Sequence, residues 1–197
     1  MAWDEDLTPE QKEVTKYTDT NACLLAGPGT GKTRCITHRV VYLIEESGVP
    51  PEEILILTFT RKAAAELRQR VKKVLGPLTR VNVFTLHSYA LTQLLKNSLS
   101  HSLPKPLRIA DDYEEDKIIV EDLKSILGWD KKTIKKKMKD MSSNWELLGN
   151  SDSEREPDPR LIAAWNMHRE LYGYTLRSEL VYQLNKAFDD QSIQPES

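Results

Sequence analysis

A chain of 197 residues with 39% hydrophobic and 29% charged residues can build a core and is too apolar for a disordered tail. Its formal net charge of −2 excludes a global attraction to nucleic acid, so any such binding must come from local basic clusters. Two cysteines, Cys23 and Cys35, suggest neither a disulfide framework nor a zinc site, and no segment has the apolar length of a membrane span.

The chain opens on an acidic stretch, Met-Ala-Trp-Asp-Glu-Asp, without the apolar core of a signal peptide, so a soluble, reducing, intracellular setting is expected. Thr8-Pro9-Glu10-Gln11 predicts a helix start: Thr8 as cap, Pro9 at the first helical position, Gln11 as capping-box partner. Ala22-Cys23-Leu24-Leu25-Ala26 is a short apolar run ending in Gly27-Pro28-Gly29-Thr30-Gly31, which predicts a buried strand and a turn. Helical spacing returns from Thr33, with Ile36, Val40, Leu43 and Ile44 on one side, and stops at Gly48 and Pro50-Pro51. Ile54-Leu55-Ile56-Leu57 predicts a second strand, whose unbroken apolar character suits a sheet covered on both faces.

A helix over about 61–75 follows, with Ala64, Leu67, Val71 and Val74 at helical spacing and Gly76-Pro77 as terminator. Val81-Asn82-Val83-Phe84 predicts a third strand, and a helix runs on through Leu91, Leu94 and Leu95. Strand–helix alternation of this kind predicts a parallel α/β sheet. The character changes near Ser98: from Asp111 to about Tyr182 only helices are expected. One is capped by Asp111 or Asp112 and carries Ile119, Leu123, Ile126 and Leu127; a lysine-rich one spans about 131–141; a third starts at Asp158-Pro159 and carries Leu161, Trp165, His168 and Leu171. The polar stretch 142–159 reads as a loop. The expected organisation is an α/β part over 1–97 and a small helical part over 98–197.

Ala26-Gly27-Pro28-Gly29-Thr30-Gly31-Lys32-Thr33 fits the P-loop pattern, with Ala in place of its first Gly. Glycines let successive backbone N–H groups turn inward around a polyphosphate at the positive end of the next helix. Lys32 is the candidate for the β- and γ-phosphates of ATP, and the Thr33 hydroxyl for Mg²⁺. The bland alternative is a glycine-rich turn before a helix, but a predicted strand before it and a predicted helix after it favour the P-loop.

Three further segments narrow the reaction: Leu7-Thr8-Pro9-Glu10-Gln11, then Thr58-Phe59-Thr60-Arg61-Lys62-Ala63-Ala64-Ala65-Glu66-Leu67-Arg68, then Thr85-Leu86-His87-Ser88. In this order and spacing they resemble the Q motif, motif Ia and the TFHS-like motif of the UvrD/PcrA/Rep family of superfamily 1 DNA helicases, with the P-loop as motif I. The match is strong over about 7–95 and weaker through the helical part, which looks like that family's 1B subdomain. The resemblance implies a RecA-like domain and an ATP-dependent, DNA-stimulated motor in the full-length protein. It also implies a cytoplasmic, nucleoid-associated setting and DNA repair.

By the same resemblance Gln11 would read the adenine edge, Lys32 and Thr33 would hold MgATP, and Arg34 would assist. Phe59 would stack a base; Thr58, Thr60, Arg61 and Lys62 would contact the single-strand backbone; His87 and Ser88 would line the same track. Arg61 stands where the family commonly has Asn and Leu86 where it has Phe, while Leu176-Arg177 replaces an Asp-Phe pair, so no role is carried to that stretch. Bland readings stay open: Gln11 as a cap alone, Phe59 as core, His87 as structural, and the lysines over 131–139 as a solvated face rather than a duplex contact.

Hydrolysis also needs a strand-end acidic residue for Mg²⁺ and a carboxylate to orient water. Ile118-Ile119-Val120-Glu121-Asp122 is the one candidate, but it has the wrong acidic order and lies in a helical pattern. With that strand and a second RecA-like domain missing from these residues, the expectation is nucleotide and DNA binding without unwinding. The alternatives are a small P-loop kinase and a non-hydrolysing nucleotide- and DNA-binding module.

Overall fold

The first helix follows from its cap. The Thr8 hydroxyl accepts from the Gln11 amide, and the Gln11 side chain accepts from the Thr8 amide, closing the capping box that opens α1 (Pro9–Lys16). A computed structural model describes residues 3–97, 103–149 and 156–194, which divide into two compact units between Leu86 and His87. The expected domain boundary at Ser98 lies outside the described residues.

In the first unit, α2 (Lys32–Glu45) and α3 (Arg61–Leu75) pack together, and α3 lies on a two-stranded sheet of β1 (Leu55–Thr58) and β2 (Asn82–Thr85). The strands are parallel, in register from Leu55 opposite Asn82 to Thr58 opposite Thr85. Thr60 caps α3 by accepting from the Ala63 amide, and Gly76 (φ +94°) ends it. Val40, Ile54, Ile56, Ala64, Leu67, Val71 and Val83 form the core. Burying a Leu or Val side chain contributes about 1.5–3 kcal/mol, so this cluster outweighs the weak propensity of four-residue strands.

Three expectations for this unit are corrected. Residues 22–26 form no strand, and Leu25 is 89% exposed. An apolar run becomes a strand only when a neighbouring edge takes its backbone groups, and among the described residues none does. Within the first unit the described residues cover the sheet on one face rather than two: Ile56 is buried while its neighbour Leu57 is exposed. In α2 the buried side is Cys35, Thr37, Val40 and Val41, whereas Ile36 is exposed.

Among the described residues β2 is an edge strand. Its Asn82 amide donates to the Ile54 carbonyl of the neighbouring segment, so the next residue, Val83, turns its backbone groups the other way. Arg68 of α3 fills that position, donating through Nε (3.2 Å) and a terminal guanidinium nitrogen (2.6 Å) to the Val83 carbonyl.

The second unit begins within α4 (Leu86–Lys96), which buries Tyr89, Ala90, Gln93 and Leu94. Asp111, not Asp112, caps the next helix, with Glu114 completing a capping box. That helix runs as α5 (Asp112–Glu114), a π-helical turn (Glu115–Ile119) and α6 (Val120–Leu127). It is followed by α7 (Lys131–Glu146), α8 (Pro159–Tyr172) and α9 (Glu179–Asp189). Ile119, Leu123, Ile134, Met141, Leu161 and Trp165 are fully enclosed at its centre, while Ile126 and Leu171 face solvent.

Two further corrections arise here. The unit is not purely helical, because β3 (Arg108–Ile109) pairs in parallel with β4 (Tyr174–Thr175). The loop expected over 142–159 starts later: residues 142–146 continue α7, whose Asn144 and Trp145 are buried. Residues 150–155 of that expected loop lie outside the described residues.

Candidate functional site

The loop over 26–31 owes its shape to its glycines. Gly29 and Gly31 take φ values of +76° and +94°, where a side chain is strained. Gly31 has a second reason: a Cβ there would sit 2.8 Å from Gln11 Nε2. That nitrogen donates to the Thr30 carbonyl at 3.1 Å, so the Gln11 amide group spans from the cap of α1 to the loop. Arg39 supports the far end of α1, donating to the carbonyls of Thr15 and Tyr17. Arg39 was not singled out from the sequence, since nothing local distinguishes it from a surface arginine.

Lys32 folds onto the loop itself. Its Nζ donates to the Ala26 and Gly27 carbonyls at 2.7 and 2.6 Å, and the Thr30 hydroxyl donates to Gly27 at 2.8 Å. Gly31 is the N-cap of α2 and offers no side-chain cap, so the helix presents its first N–H groups to whatever lies in the loop. Thr33 is exposed on the first turn. Arg34 instead reaches back to the Asp6 carbonyl at 3.2 Å. Gln11, Ala26, Gly27, Thr30, Gly31 and Lys32 are therefore tied together by hydrogen bonds or loop geometry, while Arg34 is engaged elsewhere.

The segment after β1 is built differently. Phe59 is 86% exposed, so it is not core. The Thr60 hydroxyl is occupied as a helix cap, and Thr58 ends β1 half-buried. Arg61 and Lys62 are exposed in the first turn of α3, which has no acidic residue. Cations at the positive end of a helix dipole cost about 0.3–1 kcal/mol each, an arrangement that an incoming anion would reverse. His87 is exposed near the start of α4 and Ser88 is half-buried there; both belong to the second unit.

The lysines of α7 divide. Lys131 and Lys135 pair with Asp116, Lys131 also with Glu121, and Lys137 with Asp158. The hydrogen bond from Lys135, with Lys117 and Lys131 nearby, holds the Asp116 carboxyl at about 2. Lys132, Lys136 and Lys139 are exposed. Glu121 and Asp122 lie in the first turn of helix α6, not at a strand end. Glu121 is bonded by Lys131 and Lys124, which lower its pKa, and Asp122 lies 3.4 Å from His168 Nδ1. Burial lowers the His168 pKa against the opposing pull of Asp122.

Residues 7–193 match the model of the UvrD/REP helicase N-terminal domain. The chain is 35% identical over 120 residues to the ATP-dependent DNA helicase PcrA of Staphylococcus aureus, which covers 60% of this chain and 16% of that protein. To PcrA of Bacillus subtilis it is 45% identical over 92 residues, covering 46% of this chain and 12% of the relative. To PcrA of Staphylococcus epidermidis it is 34% identical over 122 residues, covering 61% and 17%. The chain thus spans well under a quarter of the length of the relatives it matches. The family match covers both units, from the helix that carries Gln11 to the end of α9, and the chain belongs to the UvrD/REP helicase N-terminal domain family.

Proposed function

We propose that this chain is the nucleotide- and single-stranded-DNA-binding front part of an ATP-dependent DNA helicase. In the whole protein, hydrolysis would drive strand translocation and unwinding with a second RecA-like domain. The single observation that carries the reading is the Gln11 amide group, shared between the cap of α1 and the loop that precedes α2. A glycine-rich turn with no ligand would not need a side chain from another helix to set its carbonyl. Nucleoid association and DNA repair go with the same reading. The family match sets aside the small-kinase alternative.

The residues present fit MgATP. Gly29 and Gly31 keep the loop open to close approach, Lys32 would hold the β- and γ-phosphates, and Thr33 would hold Mg²⁺. Bound MgATP supplies the phosphoanhydride bond whose cleavage drives movement. Gln11, Ala26, Gly27, Pro28 and Thr30 would complete the nucleotide surface, and Arg34 would join it by leaving the Asp6 carbonyl. Thr58, Phe59, Thr60, Arg61, Lys62, His87 and Ser88 would contact single-stranded or partly duplex DNA.

Lys32→Ala should weaken MgATP binding at least tenfold, about 1.4 kcal/mol, by calorimetric titration. Equal affinities would remove the loop from the reading.

Gln11→Ala separates two roles. If Gln11 reads adenine, the gap between ATP and GTP affinity should narrow. An unchanged preference with a thermal loss of about 1 kcal/mol would leave it a cap alone.

Phe59→Ala should cost about 1–3 kcal/mol of single-strand affinity with little change in salt slope, as for a lost stacking platform. Lys62→Ala should instead flatten the salt dependence by roughly one charge. Fluorescence anisotropy with a labelled oligonucleotide measures both, and no effect from either would make the segment structural.

A further inference from the structure

The opposite end of the first unit carries a surface that neither nucleotide nor the β1–α3 segment uses. Strands β1 and β2 are parallel, so Thr58–Lys62 lie at their C-terminal ends, the usual ligand side of an open α/β sheet. α3 then runs back along the sheet for about 1.5 Å per residue, placing Lys72 roughly 16 Å from Arg61. There, between the C-terminal half of α3 and the start of β2, lies a cleft of about 350 Å³. Arg68, Lys72 and Arg80 supply its charge, and Val71, Val81 and Pro77 are among its apolar wall.

Two features show what would occupy it. The cleft lining holds three cations (Arg68, Lys72 and Arg80) and no acidic residue, in a chain whose overall charge is −2. Among the described residues none of these cations is in an ion pair, in contrast to Lys131, Lys135 and Lys137 of α7. Leu78, at the cleft, is 91% exposed. The unpaired charge favours an acidic occupant, and the aliphatic wall favours one with an apolar anchor. The cleft lining contains no aromatic ring on which a nucleic-acid base would stack.

We infer that the cleft between α3 and the N-terminal end of β2 docks a short acidic segment of a partner protein through an aliphatic anchor packed against Leu78. Arg68 is committed to the Val83 carbonyl, so recognition falls to Lys72 and Arg80 for charge and to Leu78 for contact. The surface is independent of the nucleotide assignment.

The probe is a fluorescein-labelled peptide of glutamate and aspartate with one central leucine, titrated by anisotropy against the full chain at low ionic strength. Lys72→Glu with Arg80→Glu should weaken it at least about tenfold, because two exposed charges reverse sign. Leu78→Ser should weaken it about threefold or more, and so should a peptide with serine for its leucine. Lys132→Glu, on the exposed side of α7, should change nothing, and circular dichroism melts confirm that each variant folds. No saturable peptide binding, or an affinity indifferent to Leu78→Ser and to the peptide's leucine, would overturn the proposal. So would a labelled oligonucleotide that loses affinity in the double charge variant while the peptide does not, since the surface would then be a nucleic-acid contact.

Discussion

Residues 1–197 should release no phosphate from MgATP above a Lys32→Ala control, with or without single-stranded oligonucleotide. On the proposed reading the loop, Lys32 and Thr33 would provide a cradle, but cleavage also needs a strand-end acidic residue and an oriented water. The acidic pair weighed from the sequence, Glu121 and Asp122, lies on a helix, with Glu121 bonded to two lysines and Asp122 beside His168. An arginine supplied by another domain or subunit is worth about 10³–10⁵ in rate in related phosphoryl transfer, so turnover by these residues alone is expected to be slow. Malachite-green or coupled phosphate detection decides the matter. DNA-stimulated release would show that Glu121, Asp122 or another carboxylate completes the site.

Arg169→Met should destabilise the second unit by about 3–5 kcal/mol, the usual cost of removing one partner from a buried ion pair. Arg169 and Glu179 are bonded to each other inside the unit, and Glu179 also accepts from the Thr175 hydroxyl (2.9 Å) and Gln183 Nε2 (2.8 Å). Taking the arginine away leaves an enclosed carboxylate with only neutral donors. The double variant Arg169→Met with Glu179→Leu should recover most of the loss, because no charge then stays buried. Urea unfolding followed by tryptophan fluorescence, to which Trp145 and Trp165 of this core contribute, reads both variants. A single-variant loss below about 1 kcal/mol would show that water reaches Glu179 and that the pair is dispensable.

The parts legible in the sequence were those fixed by local chemistry. Gly76 and the spacing of Ala64, Leu67 and Val71 specify α3 without reference to anything distant. Thr8 and Gln11 specify the start of α1 in the same way, and the glycines of the loop announce their positive φ values. The misreadings depend on neighbours. Residues 22–26 have a strand's composition but no paired edge among the described residues. Residues 142–146 look like a loop because Ser142, Ser143 and Asn144 are polar, yet burial of Trp145 carries α7 past them. The β3–β4 pairing joins residues 66 positions apart in two-residue pieces, too short for any periodicity. Arg169 and Glu179 carry no local signal in the sequence; only tertiary packing makes them a buried pair. At the candidate site, the sequence suggested Gln11 as a cap and the family resemblance suggested it for adenine, but neither indicated its bond to Thr30.

Arg68 protects more than a hydrogen bond. Among the described residues the sheet has two strands, and an unclaimed carbonyl on an outer strand is a template on which another chain can add itself. By holding the Val83 carbonyl with two donors of a charged group, Arg68 puts a cation where such an intruding strand would have to lie. The side chain that fastens α3 to β2 thereby also sets a charge against strand addition along the Val81–Phe84 stretch.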